Sequence, residues 1–283
     1  MKSIIIIANF CRKFDGTING RFLYLAEMLA NRGFCVELIT SDFSHGMKKF
    51  KEAPVDAYKS IITYVHEPGY QSNISFKRLY SHWKWGMNVG KYLNSHPIPD
   101  YIYCAIPSLT VALKAGKYAR RHNVKFIEDV QDLWPEAFGL VIKNRFLRNM
   151  LLFPFKLYAN RIYELADKVI AVSETYKNRA MSVQGNDATG LCIYLGNDKV
   201  VFDSAKLKYH VDKPDGEIWL CYIGSLGYSY DIECVIDALD VVKKREQVKC
   251  DIKFMIIGDG PLREKFTCYA NEKEIYAEFT GRL

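Results

Sequence analysis

Apolar stretches of strand length alternate with stretches of helical period from the first residues of this chain, and after a polar break the alternation begins again. Residues 3–10 are a continuous apolar run. Phe22, Leu25, Ala26, Leu29 and Ala30 then recur at i, i+3, i+4, i+7 and i+8, the buried face of a helix. Gly33 reads as its left-handed cap and 35–40 as the next strand. Further strands are expected over 61–65, 101–106, 124–128, 168–172 and 191–195, with helices over 108–121 and 176–181. Phe76, Leu79, Tyr80, Trp83 and Met87 mark one face of an aromatic-rich helix, in which Trp83 and Trp85 are expected to serve packing. Residues 202–217 are polar and hold Lys206, Lys208, Lys213, Pro214, Asp215 and Gly216, a composition suited to a linker. A new cycle follows: strand 218–223, a helix presenting Ile232, Val235, Ile236 and Leu239, strand 252–257 and strand 275–279. This is the pattern of an α/β protein with parallel sheets. Two domains are expected, 1–200 and 218–283, with 201–217 between them. The second has too few elements to cover both faces of a parallel sheet and reads as incomplete.

With 283 residues, 49% of them apolar, the chain can bury one or two cores. No apolar run approaches the ~20 residues that span a bilayer, and the opening Met1-Lys2-Ser3 runs straight into a strand without a signal-peptide cleavage site, which points to the cytoplasm. The eight cysteines are scattered without Cys-x-x-Cys pairs or neighbouring histidines, so buried free thiols are expected. The formal charge of +7 suits an anionic partner: a phosphorylated substrate, an anionic lipid surface or nucleic acid. No zinc-finger spacing, helix-turn-helix pattern or aromatic nucleic-acid strand accompanies it, which argues against nucleic acid.

Three glycine-bearing turns follow apolar strands: Asp15-Gly16 to Asn19-Gly20, Gly224-Ser225-Leu226-Gly227, and Gly258-Asp259-Gly260-Pro261. A turn between the end of a strand and the start of a helix presents backbone N–H groups and the positive end of a helix dipole, which suits phosphate. Glycine also serves the geometry of such turns with no ligand at all. None of the three matches the dinucleotide fingerprint or the phosphate-binding loop ending in Gly-Lys-Ser/Thr. The densest local signal is Glu128-Asp129-Val130-Gln131-Asp132-Leu133-Trp134-Pro135-Glu136. Its four carboxylates, at the end of an apolar strand, must be solvated or paired. The carboxyl ends of parallel strands are where open sheets bind ligands.

Five motifs in order, Asp132-Leu133-Trp134-Pro135-Glu136, Ala166-Asp167-Lys168-Val169-Ile170-Ala171-Val172-Ser173-Glu174, Tyr194-Leu195-Gly196-Asn197-Asp198, Tyr222-Ile223-Gly224-Ser225-Leu226 and Ile256-Ile257-Gly258-Asp259-Gly260-Pro261, resemble the family 4 glycosyltransferases over essentially the whole chain. The bacterial polysaccharide branch with its N-acetylfucosamine transferases is the most similar. The resemblance implies a GT-B architecture of two Rossmann-like domains, the acceptor on the first and a nucleotide-sugar on the second. It also implies transfer with retention of configuration, with no catalytic metal and no cofactor. By motif position Asp132 is the catalytic candidate. Gly16, Asn19, Gly20 and Glu136 stand on the acceptor side, and Ser173, Gly224, Ser225, Gly258, Gly260 and Pro261 on the donor side.

Two departures from the family pattern matter. Gln131 stands where relatives often have histidine, and Ser225 to Tyr230 replaces a loop in which many relatives place cations against the leaving diphosphate. The family's paired-glutamate motif would lie beyond Leu283, so low activity of this chain is expected. The basic and aromatic segment 143–168 suits an anionic membrane surface or, equally, a helix packed on the core, and Pro154 is expected to break any single long helix there. The leading expectation is therefore a cytoplasmic, peripherally membrane-bound glycosyltransferase of capsule, O-antigen or exopolysaccharide synthesis, acting on a lipid-linked or saccharide acceptor. A GT-B epimerase of sugar nucleotides and a noncatalytic acceptor- or partner-binding fragment are the alternatives.

Overall fold

The run of isoleucines that opens the chain forms the strand Ser3–Ile7 (β1), whose alternate side chains enter two separate cores. The computed structural model describes residues 1–16, 20–72, 75–137, 144–185, 189–209, 211–228, 230–245 and 251–282. Asn19 and Lys143 lie outside the described residues. The chain divides into two compact units, Met1–Gly196 and Asn197–Leu283.

In the first unit, β1 is followed by helix Arg21–Asn31 (α1), strand Cys35–Ser41 (β2), a small hairpin of Phe43–Ser44 (β3) and Lys49–Phe50 (β4), and strand Ile61–Val65 (β5). Helix Phe76–Ser95 (α2), strand Tyr101–Ile106 (β6), helix Leu109–His122 (α3) and strand Lys125–Val130 (β7) come next. Helix Arg145–Tyr163 (α4), strand Lys168–Ala171 (β8), helix Glu174–Met181 (α5) and strand Thr189–Cys192 (β9) complete the unit. Its sheet is wholly parallel in the order β5-β2-β1-β6-β7-β8-β9. Strand order reverses between β1 and β6, and in open parallel sheets the crevice beyond the strand ends at such a reversal is the ligand position. Ile4, Ile6 and Leu38 face α1 on one side, and Ile5, Ile7, Cys104, Phe126 and Val130 face α2, α3 and α4 on the other.

Two expectations about the helices change. On α2 the buried side carries Ser81, His82, Trp85, Gly86, Val89 and Leu93, while Phe76, Leu79, Tyr80 and Trp83 are exposed. Both stripes have helical spacing, and the one that carries Gly86 took the inside because α3 passes close to that glycine. Trp85 is therefore core, and Trp83 is 48% exposed. Pro154 does not break α4. Proline removes one backbone donor, while Ala159, Ile162 and Tyr163 anchor the following turns in the core.

The second unit begins with helix Lys199–Lys208 (α6), which Asp198 caps by accepting from the Val200 and Val201 amides at 2.9 and 3.2 Å. About half of the segment expected as a linker is thus helical, started by the Asp198 cap. Strand Glu217–Ile223 (β10), helix Ile232–Lys243 (α7), strand Asp251–Ile257 (β11), helix Arg263–Glu272 (α8) and strand Ala277–Gly281 (β12) follow. They form a parallel sheet in the order β10-β11-β12 over one core of Leu226, Ile232, Ile236, Phe254, Ile256 and Phe266.

Of the described cysteines only Cys104 is buried. Cys35, Cys221, Cys234 and Cys268 are exposed, because each occupies the outward phase of its strand or helix.

A methyl group at Gly86 would lie 2.8 Å from both Thr110 Cγ2 and the Val111 amide nitrogen. Gly86→Val is expected to push α2 from α3 and cost about 1–3 kcal/mol. A urea midpoint unchanged from the parent would contradict this packing.

Candidate functional site

The first unit concentrates its unusual chemistry at the carboxyl end of β7. Glu128 and Asp129 are both completely buried, and they point to opposite faces of the sheet. Asp129 is surrounded by donors. Arg21 Nε lies 2.8 Å and Tyr103 Oη 2.6 Å from its Oδ2, and Gln131 Nε2 lies 2.8 Å from its Oδ1. Arg21 is the first residue of α1, directly after Gly20, which stands at the helix start with φ 76°. Its Nη1 also donates to the Ile193 carbonyl at 3.3 Å. One guanidinium thus joins the first glycine turn, the end of β7 and the exit of β9. Burial, followed by the nearby Asp129 charge, pushes the Tyr103 phenol well up, so it remains a hydrogen-bond donor at neutral pH.

Glu128 departs from the expectation that these carboxylates are solvated or paired. Both of its oxygens are buried without a hydrogen-bond partner, and burial pushes its carboxyl well above the ordinary 4.5. Two adjacent carboxyls therefore meet opposite surroundings: one is met by three hydrogen-bond donors and the other by none.

The turn beyond β7 carries the other two carboxylates. Asp132 is half-buried, and its Oδ2 accepts from the Trp134 indole at 3.2 Å. Glu136 accepts from Arg179 Nε at 2.6 Å, and Arg179 also donates to Asn160 Oδ1 at 2.8 Å. This pair fastens the turn to α4 and α5. Trp134 is buried, with the Arg78 guanidinium 5.1 Å from its ring centre and the His82 ring 5.7 Å away. His82, Tyr70, His45 and Phe10 continue this cluster across the ends of β1, β2 and β5. Burial, and then the charges of Lys48 and Arg78, lower His45 to about 4; burial, and then Arg78, His45 and Lys48, lower His82 to about 3. Both rings are neutral at pH 7.

Of the acceptor-side residues, Gly16 (φ 93°) donates its amide to Tyr58 Oη at 2.9 Å, Gly20 starts α1, and Glu136 holds the ion pair just described. Asn19 is outside the described residues. Ser173 belongs to the first unit, where its hydroxyl caps α5 by accepting from the Tyr176 amide at 3.2 Å. The remaining donor-side residues lie in the second unit, on two turns that pack against each other. A Cβ at Gly258 (φ 148°) would stand 1.9 Å from the Gly224 carbonyl oxygen, and one at Gly260 2.3 Å from that of Leu226. The amides of Gly224, Gly258 and Gly260 donate to Ile257 O, Gly281 O and Asp259 Oδ1 at 3.0, 2.8 and 2.8 Å. Mutual packing by itself accounts for glycine at Gly258 and Gly260.

The sequence reading singled out Asp132, gave Asp129 only as one of four carboxylates to be solvated or paired, and passed over Arg21, Tyr103 and His82. Arg21 had a usable signal, a cation immediately after a glycine turn. Tyr103 had one in its position, three residues before the end of an apolar strand beside the acidic one.

The sequence profile of Glycosyltransferase Family 4 matches residues 20–193. Among solved structures, the lipopolysaccharide outer core galactosyltransferase WaaB is similar at TM-score 0.55 and 17% identity, over 99% of this chain and 68% of WaaB. The sucrose-phosphate synthase of Thermosynechococcus elongatus is similar at TM-score 0.61 and 16% identity, over 100% of this chain and 71% of its own. HepE of Anabaena, in complex with UDP and glucose, is similar at TM-score 0.52 and 12% identity, over 99% and 69%. No curated protein matches the chain in sequence.

Two outcomes test this geometry. Arg21→Ala leaves Asp129 buried without its guanidinium and is expected to cost about 3 kcal/mol of first-unit stability in chemical denaturation; a loss within experimental error would show the ion pair to be dispensable. Glu128 sets a pH dependence of known sign. Its folded value is raised, so above pH 4.5 the unfolded chain releases a proton that the folded chain keeps, and stability falls with rising pH by up to about 1.4 kcal/mol per pH unit until the folded value is reached. Glu128→Gln stays neutral in both states, so its stability relative to the parent is expected to rise between pH 5 and pH 8. A constant difference would place a charge on Glu128.

Proposed function

Because this chain belongs to Glycosyltransferase Family 4, we propose that it transfers a sugar from a nucleotide-sugar, with retention of configuration, to a lipid-linked or saccharide acceptor in the assembly of a cell-surface polysaccharide. The observation that carries the reading is where the family match falls. It spans the Arg21–Asp129 pair and the Asp132-Leu133-Trp134-Pro135-Glu136 turn, all at the carboxyl edge of a parallel sheet beside its strand-order reversal. HepE, which shares the fold, is described with UDP and glucose, and this supports a nucleotide diphosphate sugar as donor.

In this reading Asp132 acts at the reacting groups. Its carboxylate is half-buried and held by one neutral donor, so it can accept a further hydrogen bond from an acceptor hydroxyl. Asp129, Tyr103 and Arg21 are positioning residues. They fix the end of β7 against α1 and so set the direction in which the Asp132 turn leaves the sheet. On the donor side, the amides of Gly224, Gly258 and Gly260 already donate within the protein. The diphosphate is therefore met by other groups, and weak donor binding by this chain follows. The membrane contact of the reading falls on 143–168, whose described part begins at Asn144 and includes exposed Phe146, Met150 and Phe153.

The test is incubation with a panel of nucleotide-sugars and either a polyprenyl-linked or a soluble saccharide acceptor. Release of free nucleotide and the anomeric configuration of the product are followed by NMR. Acceptor-dependent transfer with retention is expected, and Asp132→Ala is expected to lower the rate by about 10²–10⁴-fold. Nucleotide-sugar converted without acceptor would indicate an epimerase. Acceptor binding with no turnover for any donor would indicate a noncatalytic binding protein.

A further inference from the structure

Helix α2 brings Arg78 and His82 to the carboxyl edge of the first sheet, where they meet His45 and Lys48 of the β3–β4 hairpin, Tyr70 beyond β5, and Trp134 of the Asp132 turn. Elementary chemistry fixes the hydrogen-bonding roles. A guanidinium only donates, so His82 Nε2, which Arg78 Nε approaches to 3.3 Å, is an acceptor and the ring proton sits on Nδ1. His82 is 4% exposed, and that Nδ1 has no partner among the described residues. An ammonium only donates as well, so His45 Nδ1, 3.5 Å from Lys48 Nζ, is an acceptor and its proton sits on Nε2. Two cations and two ring N–H groups thus make an array of donors.

Packing alone does not call for this array. Lys48 and Arg78 both lie over the Tyr70 ring, 4.6 and 5.8 Å from its centre. One cation would satisfy the ring, and the second opposes the first. Glu67 does not answer them in full. It is buried, and its two oxygens accept from Ser81 Oγ at 2.8 Å and Asn9 Nδ2 at 3.3 Å. Three cations, Lys48, Lys51 and Arg78, share the field of two carboxylates, Glu67 and Asp42, which with neutral histidines leaves the group one charge positive.

We propose that this cluster holds the carboxylate of an acidic sugar in the acceptor, between Arg78 and Lys48. A single carboxylate matches an excess of one positive charge, and it is all acceptor where the cluster is rich in donors. A phosphate monoester carries close to two charges and exceeds what the cluster balances. A neutral sugar makes no use of the excess. The position is one indole from the reacting groups of the reading above: Arg78 lies 5.1 Å from the Trp134 ring centre, and the Trp134 N–H donates to Asp132. A sugar acid anchored on Arg78 therefore lies beside the Asp132 turn. The proposal deepens that reading and rests on it in taking the bound sugar to be the acceptor.

The test is an NMR titration of the purified chain, with no donor present, against methyl glucuronide, methyl glucoside and glucose 6-phosphate. Methyl glucuronide is expected to bind at least about tenfold more tightly than either of the others, and high salt to narrow the difference. Arg78→Gln and Lys48→Gln are each expected to weaken glucuronide binding about tenfold and to leave glucoside binding as it is, and Arg78→Lys to lose less than Arg78→Gln. Circular dichroism establishes that each variant is folded; the two positions lie on different elements, so one decides where the other unfolds. No detectable glucuronide binding, equal affinity for glucuronide and glucoside, tighter binding of the phosphate, or variants that bind glucuronide as the parent does would overturn the proposal. Failure of the sugar-transfer reading is visible separately. Glucuronide binding with no transfer from any donor would remove that reading and leave the site, and transfer to a neutral acceptor without glucuronide binding would do the reverse.

Discussion

The first unit is organised around a carboxylate that cannot reach water. Asp129 is fully buried at the end of a central strand, a position that is expensive unless every lone pair finds a donor. Its donors come from three places: the first turn of α1, the neighbouring strand β6, and Gln131 two residues along. Satisfying one buried charge therefore fixes where α1 begins, and so where the glycine turn before it ends. It also fixes how the chain leaves β7. The Asp132-Leu133-Trp134-Pro135-Glu136 turn starts from that fixed point. Its far end is fixed again by the Glu136–Arg179 pair. A flexible loop would spread Asp132 over many orientations; a turn clamped at both ends presents it in one.

Much of this was legible in the sequence because periodicity reports burial, and burial decides strands and helices. The isoleucine run, the Phe22, Leu25, Ala26, Leu29 and Ala30 side of α1 and strands β5 and β6 follow from it directly, whereas buried Leu23 does not. The failures have a common cause, which is that periodicity cannot say which of two stripes faces inward. On α2 the stripe from Phe76 to Met87 looked like the core and the stripe of Trp85, Gly86 and Val89 took that place, because α3 approaches closely at Gly86. Charge pairing was illegible for a different reason. Arg21 and Asp129 are distant in the chain, and only the parallel register of β1, β6 and β7 brings them together. Pro154 misled because a helix can continue through one lost donor where the turns beyond it are anchored in the core, as Ala159, Ile162 and Tyr163 are here.

The second unit shows how one glycine pattern supports two explanations. Gly258 and Gly260 stand where the turns after β10 and β11 meet, and any side chain would collide with the opposing backbone. The amides of Gly224, Leu226 and Leu262 cross between the turns to hold that contact, donating to the carbonyls of Ile257, Asp259 and Leu226. A glycine-rich motif is thus a statement about backbone proximity first. Whether the approaching group is a phosphate or another turn is decided by where the N–H groups point.

Charge is distributed as unevenly as packing, and the two distributions are related. The sheet face beneath α2, α3 and α4 is apolar and continuous, so these helices need only one buried side each, and their outer sides are free to vary. Free variation would leave both signs of charge. Twelve cations with no carboxylate instead leave the outer surface self-repelling, which weakens the layer and rules out pairing between turns of the same helix. The exposed aromatic side chains add a second cost in water. Burying the aromatic side chains and neutralising the cations are separate effects, so the two costs are relieved independently.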